Sequence, residues 1–152
     1  MKRLLVLLAF LLLGPGCRPA TDDPGLTFYL QLIRGSDQNT PPTPDAKPIG
    51  PKLAERLYSV FKWKNYWELK RDSVVVRQGQ RIRKRMSAER EVEIELLGSQ
   101  KMRVRNYVNG RLTRNRYQPA DDAFYVAGGD KGEDQSWFIV VRRERPSDSE
   151  KD

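Results

Sequence analysis

Residues 91–105 read EVEIELLGSQKMRVR, and their alternation of charged and apolar side chains decides how this chain folds. Carboxylates take every second position of residues 91–96, and cations do so in residues 101–105. Successive side chains of a strand point to opposite faces, so each segment predicts a half-buried strand. The LGSQ segment between them predicts a turn, which brings the acidic row against the basic row. The charges therefore fix the register of a hairpin, since a one-residue slip would expose its apolar face.

A second hairpin is predicted around Asn109-Gly110, a dipeptide typical of two-residue turns, which joins residues 101–108 to residues 111–118. A regular register about this turn sets Arg105 opposite Arg114, and like charges in direct opposition are unfavourable. The same register sets the next pair of arginines, two residues further along each strand, against each other. The sequence leaves three resolutions open: a longer turn, screening by the acidic strand, or a bound anion.

A bound anion, the third of these resolutions, would need a basic surface. From Lys101 to Arg116 the chain has six cations and no acidic residue. A surface of this kind attracts anionic partners. We therefore predict that this basic strand region contacts an anionic partner, through the following residues: Arg103, Arg105, Arg111, Arg114 and Arg116.

The rest of the chain predicts further strands and one helix. Residues 26–33, 67–76, 123–127 and 137–141 are rich in β-branched and aromatic residues. Residues 52–61 place apolar side chains on one helical stripe after Pro51, which suits a first helical position. We expect an α+β fold: one antiparallel, twisted sheet of about seven or eight strands, built of successive hairpins and curled toward a barrel or sandwich, with one short helix over it.

The domain organisation is read from composition. Residues 26–145 predict a single α+β domain, interrupted by a Pro-rich loop at residues 36–51. Residues 17–25 predict a short tether with prolines and an acidic pair, and residues 146–152 predict a disordered polar tail.

Residues 1–16 have the pattern of a signal peptide. A basic start, Met1-Lys2-Arg3, precedes an uninterrupted apolar run at residues 4–13, which Gly14-Pro15-Gly16 ends. Ten apolar residues rise about 15 Å as a helix, roughly half of a bilayer core. This run is too short to be a membrane span, and we expect an exported protein.

Cys17 is the only cysteine of the chain and follows Gly16 directly. The first 17 residues resemble a bacterial lipoprotein signal peptide, in which a small residue precedes a cysteine that receives diacylglycerol and becomes the first residue of the mature protein. Gly14 and Pro15 depart from that pattern. The resemblance implies that Cys17 is a lipidation site, and that the protein is membrane-anchored at the cell envelope, facing the periplasm or the surface. Arg18 favours the outer membrane; an ordinary signal peptidase with an incidental Cys17 is the alternative.

Composition excludes several kinds of chemistry. With no histidine and one cysteine, the chain cannot build a Ser-His-Asp triad, an iron–sulfur centre or a zinc or blue-copper site of the usual ligands. We expect no metal, no cofactor and no catalysis, and instead a binding or structural role toward a protein or an anionic envelope polymer. A small envelope hydrolase using serine or carboxylates is the alternative. A lipid-surface or nucleic-acid binder is a third interpretation, with nucleic acid the less favoured partner.

Overall fold

The computed structural model describes residues 23–98, 100–121, 123–132 and 134–147. Of these, 58% lie in strands and 9% in a helix, so the fold is predominantly β. The predicted α+β class is wrong, because the single helix covers only part of one sheet and most of the core lies between sheets.

The described residues form nine strands and one helix, and all strand pairs within the two sheets are antiparallel. Their bounds are β1 Leu26–Ser36, β2 Lys47–Pro48, α1 Pro51–Phe61, β3 Asn65–Val76, β4 Arg81–Arg85, β5 Arg90–Leu97, β6 Lys101–Val108, β7 Arg111–Pro119, β8 Phe124–Gly132 and β9 Gln135–Arg142. The predicted helix is confirmed, and so are the two predicted hairpins, β5–β6 and β6–β7. The predicted Pro-rich loop contains only the two-residue strand β2.

The expected single sheet is divided in two. One sheet has five strands in the order β2-β3-β1-β9-β8, and the other has four in the order β4-β5-β6-β7. The chain passes between them at the turn after β3, where the Gly79 N–H donates to the Leu96 carbonyl at 2.9 Å. Sequential hairpins build the four-stranded sheet, whereas β1 pairs with β3 and with the last strand, β9. Local pattern alone does not reveal the second of these pairings.

The main core lies between the two sheets. The alternating apolar residues of β5 and β6 face inward, and Val92, Ile94, Met102 and Val104 are at most 1% exposed. They pack with the inward residues of β1, β3 and β9, among them Phe28. Burial of these side chains is the dominant stabilising contribution to such a fold.

A second, smaller core lies between the outer face of the five-stranded sheet and α1. Leu53 and Leu57 are the buried residues of the helix, and they pack near Ile33 and Phe138. The helix starts after Gly50 without a side-chain cap and ends at Lys62, whose backbone has φ 64° and donates to the Tyr58 carbonyl. Since so short a helix is marginal alone, this packing holds it in place.

The predicted N-terminal segments lie mostly beyond the described structure. The signal peptide at residues 1–16, Cys17 and residues 18–22 of the tether are outside the described residues. At the other end, Pro146 is buried and Ser147 exposed, and the remainder of the predicted tail is also outside. Within the described part of the chain, α1 is the helix present, and it lacks the length and apolar character needed to cross a membrane.

Candidate binding site

The outer face of the four-stranded sheet carries a charged ladder, formed by an acidic strand between two basic ones. Its residues are Arg81, Arg83 and Arg85 of β4, Glu91, Glu93 and Glu95 of β5, and Arg103 and Arg105 of β6. The register sets Glu93 between Arg83 and Arg105, and Glu95 between Arg81 and Arg103. The predicted hairpin is confirmed, with a register that leaves Lys101 opposite Leu97.

Ion pairs occupy the carboxylates of this ladder. Glu95 accepts hydrogen bonds from Arg103, Glu93 accepts one from Arg105, and Glu91 accepts one from Arg83. The hydrogen bond from Arg103 lowers the pKa of Glu95, and the one from Arg83 lowers the pKa of Glu91. Glu91 and Glu95 are therefore held as anions that stabilise strand pairing.

Two of the predicted contact residues, Arg103 and Arg105, consequently have partners within the chain. The Arg103 guanidinium also donates to the Tyr117 hydroxyl at 3.0 Å. Only about 15–18% of each of these two side chains is exposed. Their charge is compensated locally, so they are poor candidates for holding an outside anion.

The like-charge conflict predicted for β6 and β7 is resolved by a β-bulge. The turn has two residues as predicted, with φ 50° at Asn109 and φ 75° at Gly110. The register then shifts beyond Tyr107, so that Arg105 lies opposite Asn115 and not opposite Arg114. Neither a longer turn nor a bound anion is needed to separate the arginines.

Thr113 is the extra residue of this bulge, since Leu112 pairs with Tyr107 and Arg114 pairs with Asn106. Its hydroxyl donates to the Asn106 carbonyl at 3.1 Å. A one-residue shift in a strand moves its side chains to the opposite face. The bulge thus takes Arg114 and Arg116 off the face of the charged ladder and sets them beside the inward-facing row of β6. Bulges often redirect side chains next to functional sites.

Arg114 and Arg116 line a cleft between the last strands of the two sheets, which we call the β7–β8 cleft. It consists of two adjoining hollows of about 210 Å³ and about 470 Å³ that share Thr113 and Arg114. Its β6–β7 side has Asn106 and Gln118, and its β8–β9 side has mainly Tyr125, Val126, Trp137 and Phe138. Neither Arg114 nor Arg116 has a carboxylate within ion-pair distance among the described residues.

A buried polar pair sits at the base of the cleft. The Asn106 side-chain amide donates to the Tyr125 hydroxyl, and both residues are at most 4% exposed. Burial raises the pKa of Tyr125, against a lowering effect of Arg114 and Arg116. The Asn106 Oδ1 atom is buried and has no hydrogen-bond partner in the described part of the chain. The Asn106–Tyr125 pair thus closes the base of the cleft with polar groups that belong to the interior.

The predicted contact surface is therefore split between three places. Arg103 and Arg105 belong to the charged ladder, Arg114 and Arg116 to the β7–β8 cleft, and Arg111 lies beside the turn, opposite Val108. Sequence reasoning missed Asn106, Thr113 and Tyr125. The sequence held one signal that β7 is irregular: a regular register would have set arginines of β6 and β7 directly opposite each other.

A second polar cluster lies on the outer face of the five-stranded sheet. Glu68 accepts hydrogen bonds from Gln31 and, at 2.9 and 3.1 Å, from Nε of Arg71. Arg142 is 9% exposed, and burial lowers its pKa. This cluster ties β1 to β3 across the sheet and opens onto no hollow as large as the β7–β8 cleft.

Comparisons with protein-family models, with curated proteins and with solved structures each return no match. Within the described residues, no group of three or more Asp, Glu or Cys side chains is disposed to hold a metal ion.

Proposed function

We propose that this protein is a non-catalytic binding protein of the bacterial cell envelope, anchored to a membrane by lipid on Cys17, and that its β7–β8 cleft holds an anionic group of its partner. The observation that carries the binding half is the placement of Arg114 and Arg116 in a cleft without a compensating carboxylate among the described residues. The lipoprotein-like start of the chain supports the anchoring half.

The contrast between the two arginine sets supports this choice of surface. Every carboxylate of the charged ladder contacts an arginine, and each of the five ladder arginines has a carboxylate partner within the chain. Arg114 and Arg116 are exposed and have no such partner among the described residues, so their charge is available to an anion. An anion entering the cleft would meet the guanidinium groups of Arg114 and Arg116. Arg90, the polar pair Asn106 and Tyr125, and the aromatic wall beside Trp137 complete the lining.

A non-catalytic role is supported by the state of the carboxylates. A general acid near neutral pH needs a raised pKa, whereas the pKa values of Glu91 and Glu95 are lowered by their arginine partners. Ladder carboxylates serve strand pairing in this arrangement. The cleft itself is lined by cations, amides, hydroxyls and rings, a set suited to binding.

The binding proposal is tested with poly-L-glutamate and with inorganic polyphosphate as anionic probes. We expect the folded domain to bind at least one of them, and the double variant Arg114→Gln/Arg116→Gln to bind about tenfold more weakly or worse. The matched control is Arg81→Gln/Arg85→Gln, which removes two arginines from the other edge strand of the same sheet. Equal losses in both variants, or no binding to either probe, would contradict the assignment of the cleft.

The anchoring proposal is tested by intact mass and by fractionation of membranes. Wild-type protein extracted from a bacterial host should begin at Cys17 and carry the added mass of acyl chains, and Cys17→Ser should leave the membrane fraction. A mature protein with a free thiol at Cys17, or one that retains residues 1–16, would contradict this half of the proposal.

A further inference from the structure

Among the described strands, β7 ends the four-stranded sheet and has one hydrogen-bonding edge without a neighbouring strand. Eight of its nine residues are exposed, Gln118 being the exception. An edge strand directs alternate N–H and C=O groups outward, which makes it a template for another strand. β8, across the cleft, ends the five-stranded sheet in the same way. The cleft is therefore a gap between two open sheet edges.

The charges on β7 decide which strand could enter. Arginine on an edge strand repels basic strands and discourages self-association of β7. The same side chains attract a strand with carboxylates. Arg114 and Arg116 lie two residues apart on one face, a spacing of about 6.6 Å that matches alternate residues of an extended peptide.

The four-stranded sheet already contains such a pairing. In β5 the residues Glu93 and Glu95 alternate with apolar ones, and they lie directly opposite Arg105 and Arg103 of β6. A peptide of the same acidic alternation beside β7 would repeat this arrangement with Arg114 and Arg116.

We propose that the β7–β8 cleft binds an extended acidic peptide segment of a protein partner, which adds to the edge of β7 as a strand and sets carboxylates at alternate positions opposite Arg114 and Arg116. The inference rests on the proposed binding function and names its partner class. On the other face, Tyr117 is 49% exposed and offers its ring to an intervening β-branched residue of the peptide.

The open edge of β7 favours a peptide over an anionic polymer such as polyphosphate. A peptide brings backbone N–H and C=O groups together with its carboxylates, so it can pair with the strand edge as well as with the two arginines. A polyphosphate chain offers acceptors only, and would leave the outward carbonyl groups of β7 unpaired.

The test uses fluorescence anisotropy of a labelled probe peptide, Ser-Thr-Glu-Val-Glu-Val-Thr-Ser, with the purified domain. Two further peptides are N-methylated, one on both glutamates and one on both valines, which removes the N–H donors of one strand edge while charge is kept. A fourth peptide replaces the glutamates by lysines. We expect the parent peptide to bind and the lysine peptide to fail. At least one methylated peptide should bind about tenfold more weakly.

The outcomes separate this inference from the proposed function. If the parent and both methylated peptides bind alike, with all binding lost in Arg114→Gln/Arg116→Gln, the cleft captures charge without strand pairing and the peptide inference fails while the function stands. Polyphosphate that binds with the same arginine dependence and displaces the peptide at far lower concentration also overturns it. If no anionic probe binds, both proposals fail.

Discussion

Glu93→Gln tests the claim that the charged ladder fixes strand pairing. Glu93 lies in the middle of the ladder with 7% of its side chain exposed, and its partner Arg105 is 15% exposed. The substitution keeps the shape of the side chain and removes its charge. Arg105 is then left with Glu95, 3.5 Å away, as its remaining ion-pair partner.

The expected loss of stability lies between two limits. Breaking a fully buried pair from one side costs about 3–5 kcal/mol, whereas exposed pairs contribute about 0–1 kcal/mol. The glutamine oxygen still accepts a hydrogen bond, and Glu95 compensates part of the charge on Arg105. We therefore expect Glu93→Gln to lower the free energy of unfolding by about 2 kcal/mol. The Glu93→Gln/Arg105→Gln double variant should lose about 1 kcal/mol less than the two single losses together.

Urea unfolding followed by tryptophan fluorescence measures these values, with the slope against urea required to stay constant. Glu89→Gln is the matched control, because Glu89 also pairs with an arginine, at 3.2 Å, but is 59% exposed. It should change the free energy of unfolding by less than about 0.5 kcal/mol. A Glu93→Gln variant no less stable than this control, or a strictly additive double variant, would refute the reasoning.

Three further predictions concern the same domain. The hydrogen bond from Arg103 keeps the pKa of Glu95 below its ordinary value of 4.5, so this contribution to stability is complete above the unfolded pKa and is lost as the pH falls through the folded one. The urea midpoint should therefore drop between about pH 7 and about pH 3, and the drop should be smaller in Glu95→Gln. Met102→Ala should cost about 2–5 kcal/mol in urea unfolding, because Met102 is fully buried, whereas Leu112→Ala, at a site 52% exposed, should stay within about 0.5 kcal/mol. Gly110→Ala should lower the thermal midpoint, because φ 75° costs an alanine roughly 1 kcal/mol; an unchanged midpoint would speak against the turn conformation.

Local pattern predicted the strands whose partners are near in sequence. The alternation in β5 and β6 and the Asn109-Gly110 turn were read correctly, because side-chain period and turn residues are local properties. The α+β class was wrong, since the pairing of β1 with β9 and the stacking of two sheets depend on contacts between distant segments.

The candidate site was predicted only in part, for a reason that lies in one residue. A regular hairpin places Arg103, Arg105, Arg114 and Arg116 on one face. The local residue types of RLTRNR give no sign that Thr113 is bulged out. The conflict between opposed arginines showed that something must differ. Only the packed structure shows which residue of β7 forms the bulge. It also shows that Asn106 and Tyr125 then meet in the interior.

The pairing of the first strand with the last delays completion of the five-stranded sheet. Gln31 of β1 pairs with Val140 of β9, so the five-stranded sheet stays incomplete until nearly the whole polypeptide has been made. Contacts between such distant segments form slowly, because the intervening loop must close first. The sequential hairpins of the four-stranded sheet can thus form while the chain is still growing, whereas the five-stranded sheet and the core between the two sheets are completed last.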